Sequence, residues 1–254
     1  MHLKELLKYI LISMVQGFTE PLPISSSGHM VVVRNLLNIK NQDLTLEIFL
    51  NFASTLAICL FLLTKRIYIK DIFNKSLIIK LIVASLPAII IGFCFKDKIE
   101  GFILNNKYIG MTLLITSCLL FISFLLINKY KSNNITIFNS LNLGLAQSVA
   151  LMPGISRMGC VLTSGIAQGI NYKKVLDFSN LLYLVISFGS IILALPDLIS
   201  LDFKLIPYYL ISFLVTFICT YFSIRWFYGI ISKNSLLFFF FYTLIFGSIL
   251  YILG

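Results

Sequence analysis

Residues 16–29 read Gln-Gly-Phe-Thr-Glu-Pro-Leu-Pro-Ile-Ser-Ser-Ser-Gly-His. A carboxylate (Glu20) and an imidazole (His29) flank the hydroxyls Ser25, Ser26 and Ser27. Those are the ingredients of general acid–base catalysis on a serine nucleophile. Pro21 and Pro23 each lack an amide hydrogen and restrict the preceding residue, so a helix ends there. Ser25-Ser26-Ser27-Gly28 then leads into a second helix, roughly 28–37. Amides and hydroxyls converging at a helix N-terminus favour an anion, phosphate in particular. A second stretch, Pro153-Gly154-Ile155-Ser156-Arg157-Met158-Gly159, supplies the only basic residue within 137–170. The Arg157 guanidinium suits two-pronged contact with phosphate oxygens, and Ser156 and Gly154 stand beside it.

Both stretches sit among apolar runs. The 254 residues are 59% hydrophobic and 12% charged, too apolar for a water-soluble core to hide, so the bilayer is the expected solvent. Runs near 46–63, 77–95, 108–127, 178–196, 206–224 and 236–253 approach the roughly 20 residues a spanning helix needs. Regions 6–37 and 137–170 are apolar but broken by Pro, Gly and Ser. The first does not read as a cleavable leader, because Glu20 and His29 fall where an apolar centre is required. Cys59, Cys94, Cys118, Cys160 and Cys219 are spread through the apolar runs without a CxxC pair and read as buried small hydrophobes. The net charge of +10 lies in short loops, which fits membrane orientation and argues against nucleic acid.

A shift of 131 residues places Gln16 on Gln147, Ile24-Ser25 on Ile155-Ser156 and Gly28 on Gly159. The expected fold is therefore an all-α polytopic membrane protein, residues 1–254 forming one integral membrane domain. It holds two inverted repeats, about 3–128 and 137–254. Each repeat is a re-entrant helical hairpin followed by three transmembrane helices. Irregular backbone at membrane depth must face protein or a water-filled cavity, so the hairpins are expected to meet tip to tip. With Lys65, Arg66, Lys70, Lys75, Lys129, Lys131, Lys173, Lys174, Arg225 and Lys233 cytoplasmic, ten basic residues lie inside. The outside has seven: Lys4, Lys8, Lys40, Lys96, Lys98, Lys107 and Lys204. The first hairpin then opens outward. Arg34 and Lys80 are expected to snorkel to the interface, and His2 to be uninvolved.

The two motifs resemble the signatures of the undecaprenyl-diphosphate phosphatase family of the bacitracin-resistance type. The likeness extends to Asn51-Phe52-Ala53-Ser54 and Asp177-Phe178-Ser179. It implies removal of the terminal phosphate from a C55 polyprenyl diphosphate in the bacterial cytoplasmic (inner) membrane, with the site facing the periplasm. It implies Ser26 as nucleophile, Glu20 and His29 as activating or acid–base partners, and Arg157 as the residue gripping the diphosphate. Ser25, Ser27, Gly28, Ser156 and Gly154 would line the phosphate site. It also implies Mg²⁺ or Ca²⁺, with Glu20 a candidate ligand. Gln16 stands where many members carry a glutamate, and a neutral amide is a poorer magnesium ligand. Pro21, Met158 and Val161 replace a usual Phe, Ser and Thr. The expected partners are the polyprenyl lipid, the bilayer and, as a further candidate, a second copy of the chain.

The residues alone leave one alternative open and count against a second. Inverted repeats with broken helices also build transporters, so a polyprenyl-phosphate flippase is the competing reading. A phosphatidic-acid-type phosphatase would need a second downstream histidine, which the chain lacks.

Overall fold

The computed structural model describes residues 3–39, 44–65, 74–101, 106–129, 132–194 and 203–254, with side chains for all of these except 44 and 95–101. His2, Lys40, Arg66, Lys70 and Lys131 lie outside the described residues, as do the side chains of Lys96 and Lys98. The first half contains α1 (Leu3–Thr19), α2 (Ser26–Leu36), α3 (Leu44–Thr64), α4 (Lys75–Gly101) and α5 (Asn106–Leu126). The second contains α6 (Ile137–Val149), α7 (Arg157–Ala167), α8 (Tyr172–Ala194), α9 (Ile206–Ile230) and α10 (Lys233–Leu253). Among the described residues, six stretches, covering α3, α4, α5, α8, α9 and α10, are long and apolar enough to cross a bilayer. They coincide with the six uninterrupted apolar runs of the sequence. The two interrupted regions fold as the short pairs α1–α2 and α6–α7.

Local chemistry sets the ends. Pro21 and Pro23 deny α1 the amides that would continue it. Thr136 and Asn139 form a reciprocal capping box at the start of α6, and Ser232 and Ser235 form one at α10. Pro87 sits inside α4 without ending it. Ser132 accepts from the Asn171 amide at 2.9 Å and donates its own amide to the Gly169 carbonyl at 3.1 Å. The α6–α7 pair therefore begins and finishes at one end of the bundle. At the opposite end, Arg34 on α2 pairs with Glu47 on α3, and Asn35 Nδ2 donates to Asn106 Oδ1 on α5 at 2.6 Å.

The helix surfaces are reversed relative to a soluble protein. On α9, Leu210, Leu214, Ile218 and Phe222 are exposed at helical spacing, while Ser212, Thr216, Thr220 and Ser223 are buried. Lipid tails accept the apolar stripe as readily as a protein core would, so small and hydroxylated residues are free to pack the helix contacts. Thr216 donates to the Ser13 carbonyl at 3.2 Å and Ser223 to the Phe18 carbonyl at 2.7 Å, tying α9 to α1. Exchanging α1–α5 for α6–α10 maps the α1/α9 contact onto α6/α4 and α3/α9 onto α8/α4, and leaves α5/α10 in place. The lipid-facing surface also accounts for a departure from expectation at the cysteines. All five are free, but of them only Cys160 is buried; Cys59 and Cys219 are half-buried, and Cys94 and Cys118 are exposed.

Close approach between helices depends on missing side chains. A Cβ on Gly144 of α6 would lie 2.2 Å from the Ala84 carbonyl oxygen of α4. Gly144→Ala is therefore expected to force α4 and α6 apart and to cost about 1–3 kcal/mol. Thermal unfolding in detergent reads this as a lowered midpoint.

Candidate active site

The two turns are built on one pattern. Ser25 caps α2 by accepting from the Gly28 amide at 3.3 Å, and Ser156 caps α7 by accepting from the Gly159 amide at 3.1 Å. The residues that align at a shift of 131 are thus the two N-caps and their amide donors. The cap at Ser25 starts α2 at Ser26, two residues earlier than the sequence suggests. Ser26 and Ser27 consequently occupy the first turn of α2, and Arg157 that of α7.

The tips meet. A Cβ on Gly28 would sit 3.1 Å from the Gly154 Cα, and the Gly154 amide donates to Ser27 Oγ at 3.4 Å. Gly154 has φ +90°, a conformation open to glycine, and a Cβ there would fall 1.9 Å from Thr112 Oγ1. Two threonines of α5 hold the same turn. Thr112 donates to the Pro153 carbonyl at 2.7 Å. Thr116 donates to the Gly154 carbonyl at 2.9 Å and accepts from the Ser156 amide at 3.0 Å.

Four of the sequence candidates converge, Ser26, Glu20, Arg157 and Gln16. Ser26 Oγ donates to Glu20 Oε2 at 2.6 Å. The other carboxylate oxygen, Oε1, lies 3.9 Å from Arg157 Nη2. Gln16 Nε2 donates to Glu20 Oε2 at 3.1 Å and reaches Asn51 Oδ1 at 3.4 Å. Arg157 is restrained from α8: Nη1 donates to the Ser179 carbonyl at 3.1 Å, and the guanidinium carbon lies 4.3 Å from the Tyr183 ring centroid. One edge of the guanidinium is anchored and the other faces Glu20 without closing a short ion pair. Ser27 is exposed and Ser26 half-buried beside this gap, whereas Ser25 and Ser156 are buried with their hydroxyls used as caps.

His29 is placed elsewhere. Nδ1 lies 2.7 Å from the Ser25 carbonyl oxygen and Nε2 lies 2.7 Å from the Tyr242 hydroxyl on α10. The ring stacks on Phe246 at 4.8 Å and makes no hydrogen bond with Ser26. Gln147, the positional counterpart of Gln16, is buried with neither amide atom hydrogen-bonded. The two halves share their cap hydrogen bonds but neither the backbone at the cap, with φ 68° at Ser25 against −75° at Ser156, nor their chemistry. Among the described residues, no three His, Cys, Asp or Glu side chains form a cluster. The donor set beside Ser26 is one carboxylate, Glu20, with the amides of Gln16 and Asn51.

Sequence reasoning missed Thr112, Thr116, Tyr183 and Tyr242. Thr112 and Thr116 did leave a signal, since two hydroxyls four residues apart in an apolar span share one helix face.

These features define a multi-pass membrane protein with a polar site assembled from two broken helices. The model of the family described as "Bacitracin resistance protein BacA" matches residues 9–249. A Bacillus thuringiensis protein named undecaprenyl-diphosphatase 2 is 37% identical over 259 residues, covering 95% of both chains. One from Bacillus licheniformis, named undecaprenyl-diphosphatase 1, is 36% identical over 95% of this chain and 96% of its own. An Oceanobacillus iheyensis undecaprenyl-diphosphatase is 34% identical over 96% of this chain and 95% of its own. The chain belongs to the bacitracin resistance protein BacA family.

Thr116→Val would leave the Ser156 amide and the Gly154 carbonyl without their partner. The expected cost is about 1–3 kcal/mol of stability, with Thr116→Ser restoring most of it, read by thermal unfolding of the two variants side by side.

Proposed function

We propose that this chain hydrolyses undecaprenyl diphosphate to the monophosphate and inorganic phosphate, the activity for which its relatives are named. The observation that carries this reading is the short Ser26–Glu20 hydrogen bond facing Arg157 across the joined tips. Ser26 Oγ attacks the terminal phosphorus and Glu20 takes its proton. The bond from that phosphorus to the bridging oxygen breaks, and the polyprenyl monophosphate leaves. Water then cleaves the phosphoserine, releasing phosphate, and the serine oxygen takes its proton back from Glu20. Arg157 offers its free edge to the non-bridging oxygens, where negative charge must be held. The Ser27 hydroxyl and the first amides of α2 and α7 add hydrogen-bond donors around the same point.

Magnesium or calcium would be held by Glu20 and the amide oxygen of Asn51 together with the substrate's own phosphates, since Gln16 turns its Nε2 toward both. Magnesium is commonly bound in this way, through one or two carboxylates plus phosphate. When bound, the ion would neutralise charge on the diphosphate oxygens. The remaining work falls to the chain: binding, orientation and transfer of the serine proton.

A cleft of about 230 Å³ between α3 and α8, lined by Glu47, Asn51, Ser187, Ser190 and Ile191, runs beside Asn51. It offers a headgroup a route with polar groups at Glu47, Asn51, Ser187 and Ser190 while the prenyl tail remains in lipid. In the orientation set by the loop charges, this end faces the outside of a bacterial cytoplasmic membrane. The two halves then stand as inverted repeats, about 3–128 and 137–254. Their hairpins approach from opposite ends, as the Ser132–Asn171 and Arg34–Glu47 contacts suggest.

Purified protein in detergent is expected to release phosphate from a polyprenyl diphosphate, and a chelator is expected to suppress that release. Ser26→Ala and Arg157→Ala are each expected to lower the rate by roughly 10²-fold or more without loss of the folded, monodisperse protein. Near-normal release in either variant would remove that residue from the mechanism. Lipid binding by the wild type with no phosphate release would point to transport instead.

A further inference from the structure

We propose that Tyr242 is a positioning residue for the Ser26 nucleophile, acting through His29, and that His29 holds the serine turn instead of exchanging a proton with Ser26. The inference rests on the reading of Ser26 as nucleophile. A carbonyl oxygen can only accept, so the contact at 2.7 Å from His29 Nδ1 to the Ser25 carbonyl requires a proton on Nδ1. In the neutral ring, Nε2 is then the acceptor, and the Tyr242 hydroxyl at 2.7 Å is its donor. Both nitrogens are engaged, and neither is directed to Ser26, whose hydroxyl belongs to Glu20.

The segment being held needs holding. Ser25 has φ 68°, in the left-handed region that residues with a side chain rarely adopt. Such a conformation persists only where the surroundings over-determine it. Here its carbonyl is tied to His29 and its hydroxyl to the Gly28 amide. Ser26 follows directly, so the Ser25 backbone sets the direction in which Ser26 Oγ leaves the chain toward Glu20. His29 is in turn clamped between the Tyr242 hydroxyl and the Phe246 ring, both on α10. The rotation of α10 is fixed against α5 by a near-backbone contact. A Cβ on Gly110 would lie 2.5 Å from the Tyr251 amide nitrogen and 2.8 Å from the Gly247 carbonyl oxygen. The chain of contacts therefore runs from the α5/α10 crossing through Tyr242 and His29 to the serine turn.

The experiment is steady-state phosphate release from a polyprenyl diphosphate by His29→Ala, His29→Asn, Tyr242→Phe and the double variant Tyr242→Phe/His29→Ala. Asparagine can place an N–H near the Nδ1 position and donate to the Ser25 carbonyl, but it cannot carry a proton between groups. The expected result is that His29→Asn recovers at least about tenfold of the kcat lost in His29→Ala, the scale of one charge-free hydrogen bond or more. Tyr242→Phe lowers kcat about fivefold with KM unchanged, and has no further effect once His29 is alanine. The proposal is overturned if His29→Asn is as slow as His29→Ala. It is overturned equally if Tyr242→Phe matches the wild type, or if its effect persists undiminished in the alanine background. Should His29→Ala fail to fold, His29→Asn and Tyr242→Phe decide by themselves: wild-type kcat in Tyr242→Phe, or loss of more than about a hundredfold in a folded His29→Asn, ends the proposal. Hydrolysis surviving in Ser26→Ala would instead remove the nucleophile reading on which it rests.

Discussion

Backbone that leaves the helix inside an apolar slab has no water to satisfy it, and each unpaired amide or carbonyl there costs several kcal/mol. The structure meets that demand by satisfying the turn at 20–25 within the first half and the turn at 150–156 partly from the first half. The Gly154 amide is satisfied by Ser27 from the opposite half, and the Pro153 and Gly154 carbonyls by Thr112 and Thr116. Ser25 and Ser156 each take one first-turn amide of their own helices, those of Gly28 and Gly159. The bonds that make the breaks tolerable are the bonds that bring Ser26, Glu20 and Arg157 to one place. Site and fold are a single solution to one desolvation problem.

Charge within that place is arranged with restraint. A carboxylate and a guanidinium left to themselves in a poorly solvated site would close into a bidentate pair and fill the space an anion needs. Here Glu20 is occupied by Ser26 and Gln16, and Arg157 is held back by the Ser179 carbonyl and the face of Tyr183. The remaining separation of 3.9 Å leaves the guanidinium's free edge available to a diphosphate. Gln16, a neutral amide beside the only carboxylate of the site, keeps Glu20 in place by donating to it without adding a second negative charge that would repel the substrate.

The spans and the breaks were legible in the sequence because both are local signals: twenty apolar residues in a row, or Pro-Leu-Pro followed by three serines. The shift of 131 was legible too, and its meaning is now physical, since Ser25/Ser156 and Gly28/Gly159 are the cap residues and their donors. What stayed hidden depends on contacts between distant segments. Tyr242 lies 213 residues from His29, and nothing in either neighbourhood announces the pair. Tyr183 reads as one more aromatic in an apolar run until its ring is found under Arg157. The likeness of Gln16 and Gln147 misleads in the other direction. Identical residues at matched positions are hydrogen-bonded in one half and unpartnered in the other, because only the first half places a glutamate four residues on.

The most direct measurement is an experimental structure of the protein in a lipid nanodisc with a polyprenyl methylenediphosphonate, whose P–C–P bridge cannot be hydrolysed. The headgroup should lie between the two tips, its terminal phosphonate against Ser26 Oγ and its oxygens on the free edge of Arg157, with the Thr116 contacts to Gly154 and Ser156 intact. A headgroup bound by one turn alone, or held away from both, would contradict the joint site.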